Sequence, residues 1–403
     1  MKVKINPSLA CGNVIAPPSK SIAHRAIICG ALSGSSNIEN VAYSKDIKAT
    51  IDCLSSLGAS VESGEATLTV GGLDIFNTNE NAILDCNESG STLRFLIPLC
   101  LISGKKTTFI GASRLFERPL SVYESICREQ GILFEKGTNS LTVCGKLKSG
   151  NYRVRGDISS QFISGLLFAL PLLDGVSIIE VIGKLESEPY IDLTLQALSE
   201  FGIKITRVGS RFIILGNQRY QSRSVTVEAD CSNAAFLHAF NYIGGNVNVD
   251  GINRNTLQGD VVFYDIFDSL SKGNRQFDLS DCPDLAPISF AMAAVKGGAT
   301  FTGTARLKIK ESDRSEAMAQ ELKKFGVDVE IGENSVTVKS AVLKAPSEAL
   351  NGHNDHRIVM SLSVLCTLVG GEIEGAEAVF KSYPAFFDAL KKLNIGLEIY
   401  EDR

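Results

Sequence analysis

Two hydrophobic periods alternate along this chain, and the change from one to the other recurs. A segment with leucine or isoleucine at helical spacing reaches a glycine, and two short segments follow in which apolar and polar residues alternate. The pattern runs Leu54-Ser55-Ser56-Leu57-Gly58-Ala59-Ser60-Val61 and then Ala66-Thr67-Leu68-Thr69-Val70, and returns over residues 126–131 with Ser140-Leu141-Thr142-Val143. It recurs as Leu198-Ser199-Glu200-Phe201-Gly202-Ile203-Lys204-Ile205 with residues 211–215, and as Leu322-Lys323-Lys324-Phe325-Gly326-Val327-Asp328-Val329 with Ser335-Val336-Thr337-Val338. Degenerate copies cover residues 266–279 and 390–399. Each copy predicts a helix closed by a C-cap glycine, then a hairpin with one buried face. Gly58, Gly131 and Gly202 recur about every seventy residues, too long for a solenoid period but right for two helices and several strands.

Three copies precede residue 220 and three follow it, so the pattern predicts an α/β (α+β) chain of two similar halves. Polar residues 219–226 turn into Val225-Thr226-Val227-Glu228-Ala229-Asp230, a predicted crossover strand, and the boundary is placed near residue 227. Residues 3–5 have no copy of their own to join before Lys20, so they are expected to pair with the C-terminal half. The expected domains are residues 1–14 with 227–403, discontinuous, and residues 15–226. Lys20 then lies at a hinge between them, where ligand sites are favoured.

Polar clusters stand at the predicted helix starts. Pro17-Pro18-Ser19-Lys20-Ser21-Ile22-Ala23-His24-Arg25 forbids a helix before Ser19, which can cap one starting near Lys20. Backbone N–H groups, the helix dipole and the Lys20 and Arg25 side chains then point one way, which reads as an anion site or as a well-capped surface helix. Asn87-Glu88-Ser89-Gly90-Ser91-Thr92-Leu93-Arg94 and Gly156-Asp157-Ile158-Ser159-Ser160-Gln161-Phe162 lead into apolar helices in the same manner. Arg114 and Arg118 precede another helix, as clamps or as structural salt bridges. Glu186-Ser187-Glu188-Pro189-Tyr190 opens a further helix with proline in its first turn. In the C-terminal half, Asp284 of Asp281-Cys282-Pro283-Asp284 is a helix cap or a base. Ile309-Lys310-Glu311-Ser312-Asp313-Arg314 is expected to open a helix running to Phe325, His353-Asn354-Asp355-His356-Arg357 starts the next, and Lys381-Ser382-Tyr383-Pro384 closes the series.

Composition narrows the ligand. The 403 residues carry a net charge of −5, which argues against a general nucleic-acid surface and makes any anion binding local. The recurrence of Lys, Arg, His, Ser and Asp at helix starts in a net acidic chain points to a polyanionic small ligand. Ten cysteines are scattered without a CxxC pair, which favours reduced, buried thiols over zinc or disulfides. Apolar runs at residues 95–102 and 166–173 are far shorter than a membrane span and each contains proline. No signal-peptide pattern is present, and a cytoplasmic location is expected.

Together these motifs resemble the 5-enolpyruvylshikimate-3-phosphate synthase (3-phosphoshikimate 1-carboxyvinyltransferase) family of enolpyruvyl transferases. The carriers are SKSIAHR at 19–25, SGSTLRF at 89–95, ERP at 117–119, SSQF at 159–162, SEPYID at 187–192, KESDR at 310–314, NDHR at 354–357 and KSYP at 381–384. The resemblance implies two similar domains, each of three βαβαββ repeats in an inside-out α/β barrel, with the active site in the interdomain cleft. It implies transfer of the enolpyruvyl group of phosphoenolpyruvate to the 5-hydroxyl of shikimate 3-phosphate, through a tetrahedral intermediate that releases phosphate. By the same resemblance Ser21, Arg25, Ser159, Ser160, Gln161, Ser187, Asp284 and Lys310 hold shikimate 3-phosphate. Lys20, Gly90, Arg118, Gln161, Arg314, Arg357 and Lys381 hold phosphoenolpyruvate. Asp284 deprotonates the 5-hydroxyl, and Glu311, helped by Lys20, moves the proton at the methylene carbon. No metal or other cofactor is implied, nor a nucleic-acid or membrane partner, and a monomer is expected. Gly90 leaves room for the herbicide glyphosate. Glu88 stands where many members have asparagine and is left out of the site; His24 is given a structural role. The sister transferase acting on UDP-N-acetylglucosamine is expected to have Lys-Asn at Lys20-Ser21 and a catalytic cysteine in the loop at residues 111–119, which holds none. A non-catalytic sugar-phosphate-binding protein would need neither Asp284 nor Glu311.

Overall fold

The computed structural model of the chain describes residues 1–273 and 275–401, and these divide into two compact units. One is residues 18–228; the other is residues 1–17 with the chain from residue 229 onward.

The helices of the first are α1 (Lys20–Ala31), α2 (Lys45–Leu57), α3 (Gly90–Ser103), the short α4 (Ser113–Glu117), α5 (Ser121–Gln130), α6 (Ser160–Ala169) and α7 (Glu188–Glu200). In one of its sheets Ala82–Asp85 runs parallel to Thr107–Ile110, which pairs antiparallel with Ser140–Cys144 of a hairpin begun by Leu133–Lys136. Asn151–Arg155, Val176–Ile182, Ile205–Val208 and Arg211–Leu215 repeat that arrangement. In chain order each is βαβαββ. The third sheet has the same strand order, but its first strand, Ser224–Thr226, comes last in the chain and lies parallel to Ser36–Glu39.

The other unit has α8 (Cys231–Tyr242), α9 (Phe263–Ser271), α10 (Ala286–Val295), α11 (Arg314–Lys324), α12 (His356–Val369) and α13 (Phe386–Lys392). Gln276–Asp278, Ala299–Thr302, Val329–Ile331 and Ser335–Val338 form a complete repeat. A second sheet joins both ends of the chain, with Lys2–Ile5 between Gly371–Glu374 and Leu397–Tyr400. The third has two strands, Cys11–Ile15 parallel to Asn246–Asp250. Here the sequence pattern misleads: residues 266–279 give a helix, but among the described residues no hairpin follows α9. Gln276–Asp278 is the first strand of the next sheet, because the polar, proline-containing residues 280–283 turn the chain away before a return strand forms.

The first helix of each repeat is apolar on every side and buried almost throughout, as in α3, α6, α10 and α12, whereas α2, α9 and α11 are apolar on one side only. Each unit therefore has its own core, built around Phe95, Phe109, Phe162 and Phe212 in one and Phe236, Phe290, Phe301 and Met360 in the other. Helix α3 contains Pro98, which has no N–H to give the Arg94 carbonyl four residues earlier. The buried Tyr123 hydroxyl takes its place, donating to Arg94 O at 2.7 Å and reaching Phe162 O of α6 at 3.2 Å. Gly165 of α6 permits this approach, since a Cβ there would collide with the Tyr123 hydroxyl and the Arg94 carbonyl. Gly165→Ala is therefore expected to cost about 1–3 kcal/mol in urea unfolding, as overpacking does; a loss under ~0.5 kcal/mol would show that α3 and α6 separate freely.

Candidate active site

In the unit of residues 18–228, serine hydroxyls cap the helices singled out from sequence. Ser19, Ser89 and Ser159 accept the N–H groups of Ile22, Thr92 and Gln161. Lys20 Nζ lies 2.7 Å from Asp46 Oδ2 in the first turn of α2. Arg25 is buried and ties α1 to α7: Nη1 donates to Ser21 O at 2.6 Å, Nη2 to Tyr190 O at 2.7 Å and Nε to Thr194 Oγ1 at 2.8 Å. Burial lowers its pKa to about 10. Gln161 accepts from Arg94 Nη1 at 2.7 Å and donates to Ser91 Oγ at 2.9 Å, so two neighbours fix which way its amide faces.

Gly90 serves by lacking a side chain. A Cβ there would stand 2.7 Å from Arg118 Nη1, so only glycine lets that guanidinium lie against the first turn of α3. Ser187 heads α7 at φ 57°, ψ 39°, a left-handed conformation uncommon for a residue with a side chain. Glu186 N donates to Gly156 O at 3.2 Å, which sets this segment beside the one carrying Ser159 and Ser160. His24, buried, meets Thr50 Oγ1 at 2.8 Å through Nδ1, and the chain continues by 2.7 Å contacts from Thr50 to Thr92 and from Thr92 to Ser89. Burial first, then Lys20 and Arg25, hold the His24 pKa well below its usual value, so the ring is neutral.

The other unit gathers charges. Arg314 opens α11 and is 1% exposed. Its three nitrogens reach three carboxylates: Nε to Asp355 Oδ2 at 2.9 Å, Nη1 to Asp284 Oδ1 at 2.8 Å and Nη2 to Glu311 Oε2 at 2.8 Å. Asp284 also receives Lys310 Nζ at 3.2 Å and Arg357 Nη2 at 2.8 Å. Lys381 Nζ donates to Asn354 O at 2.5 Å. Burial works against the charge on Asp284, but Arg357, Lys310 and Arg314 hold its pKa well below the ordinary carboxylate value. Burial lowers the Lys310 pKa, with Asp284 opposing the shift.

Two local expectations change. Asp284 does not cap α10; it lies in the turn Pro283–Leu285, and Leu285 occupies the cap position. Helix α11 starts at Arg314, capped by Asp313, so Lys310, Glu311 and Ser312 sit on the turn before it. Sequence reasoning passed over Asp46, Arg94, Asp260 and Asp355. Arg94 and Asp355 stand inside quoted motifs, and Asp355 both caps α12 and binds Arg314. Asp260 is buried and takes the Ser232 hydroxyl; burial and then the charge of Asp284 raise its pKa to about 6. Each unit thus offers a polar cluster at helix starts, one dominated by hydroxyls, amides and cations and one by paired charges. Such clusters suit a multiply charged, hydroxylated small molecule and proton transfer at carboxylates.

Comparison with known proteins agrees. Residues 6–390 match the family model of EPSP synthase (3-phosphoshikimate 1-carboxyvinyltransferase). The 3-phosphoshikimate 1-carboxyvinyltransferase of Clostridium kluyveri is 43% identical, over 99% of this chain and 98% of that protein. Its counterpart from Clostridium novyi is 42% identical, over 97% of each. The fold is similar to that of EPSP synthase from Acinetobacter baumannii, with a TM-score of 0.79 at 21% identity, covering 99% of this chain and 100% of that one.

The charge cluster makes stability depend on acid. For Asp284 and Asp355 the ordinary value is 3.8, and in the folded chain both lie lower: burial raises each, and the facing cations, Arg357 and Lys310 foremost for Asp284 and Arg314 for Asp355, outweigh it. Their contribution is complete above 3.8 and is lost as pH falls through the folded values. Urea midpoints should therefore fall with decreasing pH below about 4, and Asp355→Asn should flatten that slope. An unchanged slope in Asp355→Asn would mean that the carboxylate contributes nothing to acid sensitivity.

Proposed function

The chain belongs to the EPSP synthase (3-phosphoshikimate 1-carboxyvinyltransferase) family, and from that premise we propose how its own residues carry the reaction. The reaction is transfer of the enolpyruvyl group of phosphoenolpyruvate to the 5-hydroxyl of shikimate 3-phosphate, with release of phosphate, a transferase step of the shikimate route to aromatic amino acids. Ser21, Arg25, Ser159, Ser160, Gln161, Ser187, Asp284 and Lys310 hold shikimate 3-phosphate. Lys20, Gly90, Arg118, Gln161, Arg314, Arg357 and Lys381 hold phosphoenolpyruvate. The observation that carries this reading is the Asp284 carboxylate set against Lys310, Arg314 and Arg357, with Glu311 on the same guanidinium.

Held by three cations, Asp284 is a weak base. Phosphoenolpyruvate brings negative charge to Arg314 and Arg357, draws them from Asp284 and raises its proton affinity as the 5-hydroxyl arrives. The hydroxyl gives its proton to Asp284 and its oxygen bonds to C2 of phosphoenolpyruvate, while the electron pair of the C2–C3 double bond takes a proton from Glu311 at C3, assisted by Lys20. The product of this step is a tetrahedral ketal phosphate. In the second step the C2–phosphate bond breaks, Glu311 removes a proton from the new methyl group, and the cations stabilise the departing phosphate. The working form proposed is a cytoplasmic monomer, since one chain supplies both clusters; no described helix is long and apolar enough to cross a membrane.

Phosphate release from phosphoenolpyruvate with shikimate 3-phosphate, against UDP-N-acetylglucosamine and without added metal, tests the reading; binding without turnover on either acceptor would favour a binding module. Glu311→Ala should lower kcat by roughly 10²-fold or more with substrate affinity mostly kept, and an unchanged kcat would route the proton elsewhere. Glyphosate should compete with phosphoenolpyruvate, as the family resemblance implies for a glycine at position 90. Inhibition independent of phosphoenolpyruvate concentration would refute that.

A further inference from the structure

One buried carboxylate takes no part in the reaction so described. Glu321 lies in α11, 1% exposed, two turns beyond Arg314 and on the same helix face. Its Oε2 accepts the Asn351 N–H at 2.9 Å and Lys324 Nζ at 3.0 Å, and its Oε1 meets His353 Nε2 at 2.9 Å. Burial works against its charge, but hydrogen bonds from His353, Asn351 N–H and Lys324 hold the group ionised, below the usual carboxylate range.

What Glu321 grips is a short loop of unusual backbone. Between the strand Leu350–Asn351 and α12, His353 and Asn354 are successive non-glycine residues at φ 49° and 50°. Left alone, such a pair relaxes towards negative φ. Asn351 Oδ1 takes the His353 N–H at 2.7 Å, and Gly352 packs so tightly on the Glu374 and Gly375 carbonyls that a Cβ would stand 2.9 and 3.0 Å from them. At its far end the loop delivers Asp355 to Arg314, and at Asn354 O it receives Lys381. One face of α11 therefore fastens both ends, by Glu321 at Asn351 and His353 and by Arg314 at Asp355.

We infer that Glu321 is a positioning residue for phosphoenolpyruvate: by clamping the left-handed His353-Asn354 turn it fixes where Arg357 and the Lys381 ammonium stand. The inference rests on the proposed reading that Arg357 and Lys381 hold that substrate. Without the clamp the turn relaxes, the Asn354 carbonyl swings away and both cations lose their registration, so binding suffers more than chemistry.

Glu321→Ala should raise KM for phosphoenolpyruvate about 10-fold or more while KM for shikimate 3-phosphate stays within ~2-fold, and Glu321→Gln, which keeps an acceptor for Asn351, should restore most of the loss. Amide exchange at residues 351–355 should quicken by about 10-fold in Glu321→Ala. Unchanged exchange, or a KM rise equal for both substrates, overturns the inference. Arg357→Ala and Lys381→Ala, assayed alongside, separate it from the site reading. If they raise KM for phosphoenolpyruvate and Glu321→Ala does not, only the clamp is wrong. If neither raises it, the site reading is wrong and with it the role of Glu321 in substrate binding. Should Glu321→Ala fail to fold, His353→Ala, which removes a single contact of the clamp, must show the same two changes at about 3-fold each, and their absence overturns the inference equally.

Discussion

A guanidinium almost wholly removed from water must be matched by negative charge, and Arg314 imposes that condition on the unit that contains it. Its three carboxylate partners come from separate stretches of chain, at Asp284, Glu311 and Asp355, so neutralising one cation draws three loops together. Those carboxylates exceed what one arginine can balance. Lys310 and Arg357 supply the remaining positive charge, both through Asp284. A buried network of this kind contributes little net stability compared with an apolar core, but removing any single member is costly, which fixes its composition. On the proposed reading, an anionic ligand would enter by exchange, replacing carboxylates already on the cations.

The other unit meets the problem of polar groups in an apolar interior with fewer charges. Ser89, Thr92, Thr50 and the neutral His24 pass hydrogen bonds from one to the next, joining the starts of α1 and α3 through α2. Arg25 spends its donors on two backbone carbonyls and a hydroxyl, and Arg94 on the Gln161 amide and the Pro119 carbonyl. Helices α3 and α6 behind these groups are apolar all round, so each presents its share of them near its N-terminal end.

Much of this was legible in the order of residues. The switch from helical to alternating spacing marks the units whose helix ends carry the polar clusters, and Ser19, Ser89 and Ser159 announce helix starts because few other residues cap so well. Where the reading slipped, the cause was local. Residues 266–279 resemble a helix and hairpin, yet among the described residues only the helix and one strand form, since strand pairing depends on a partner far along the chain. Asp284 looks like a cap by position, but three cations from residues 310, 314 and 357 claim it, and no spacing rule foretells them. Asp46 was passed over for the same reason: its partner Lys20 lies 26 residues away on another helix.

The Tyr123 hydroxyl has a consequence for how far this architecture is modular. Proline at position 98 deprives α3 of one rung of its ladder, and the missing donor is supplied by α5, whose hydroxyl also reaches α6 in the following repeat. Repeats of similar topology are thereby mutually dependent parts. A segment carrying α3 and α5 excised from its neighbour would expose the surface that Gly165 now covers, and α6 transplanted elsewhere would bring a groove shaped for a tyrosine it no longer meets. The pieces of this unit share one plan, but a single phenolic oxygen ties two of them together.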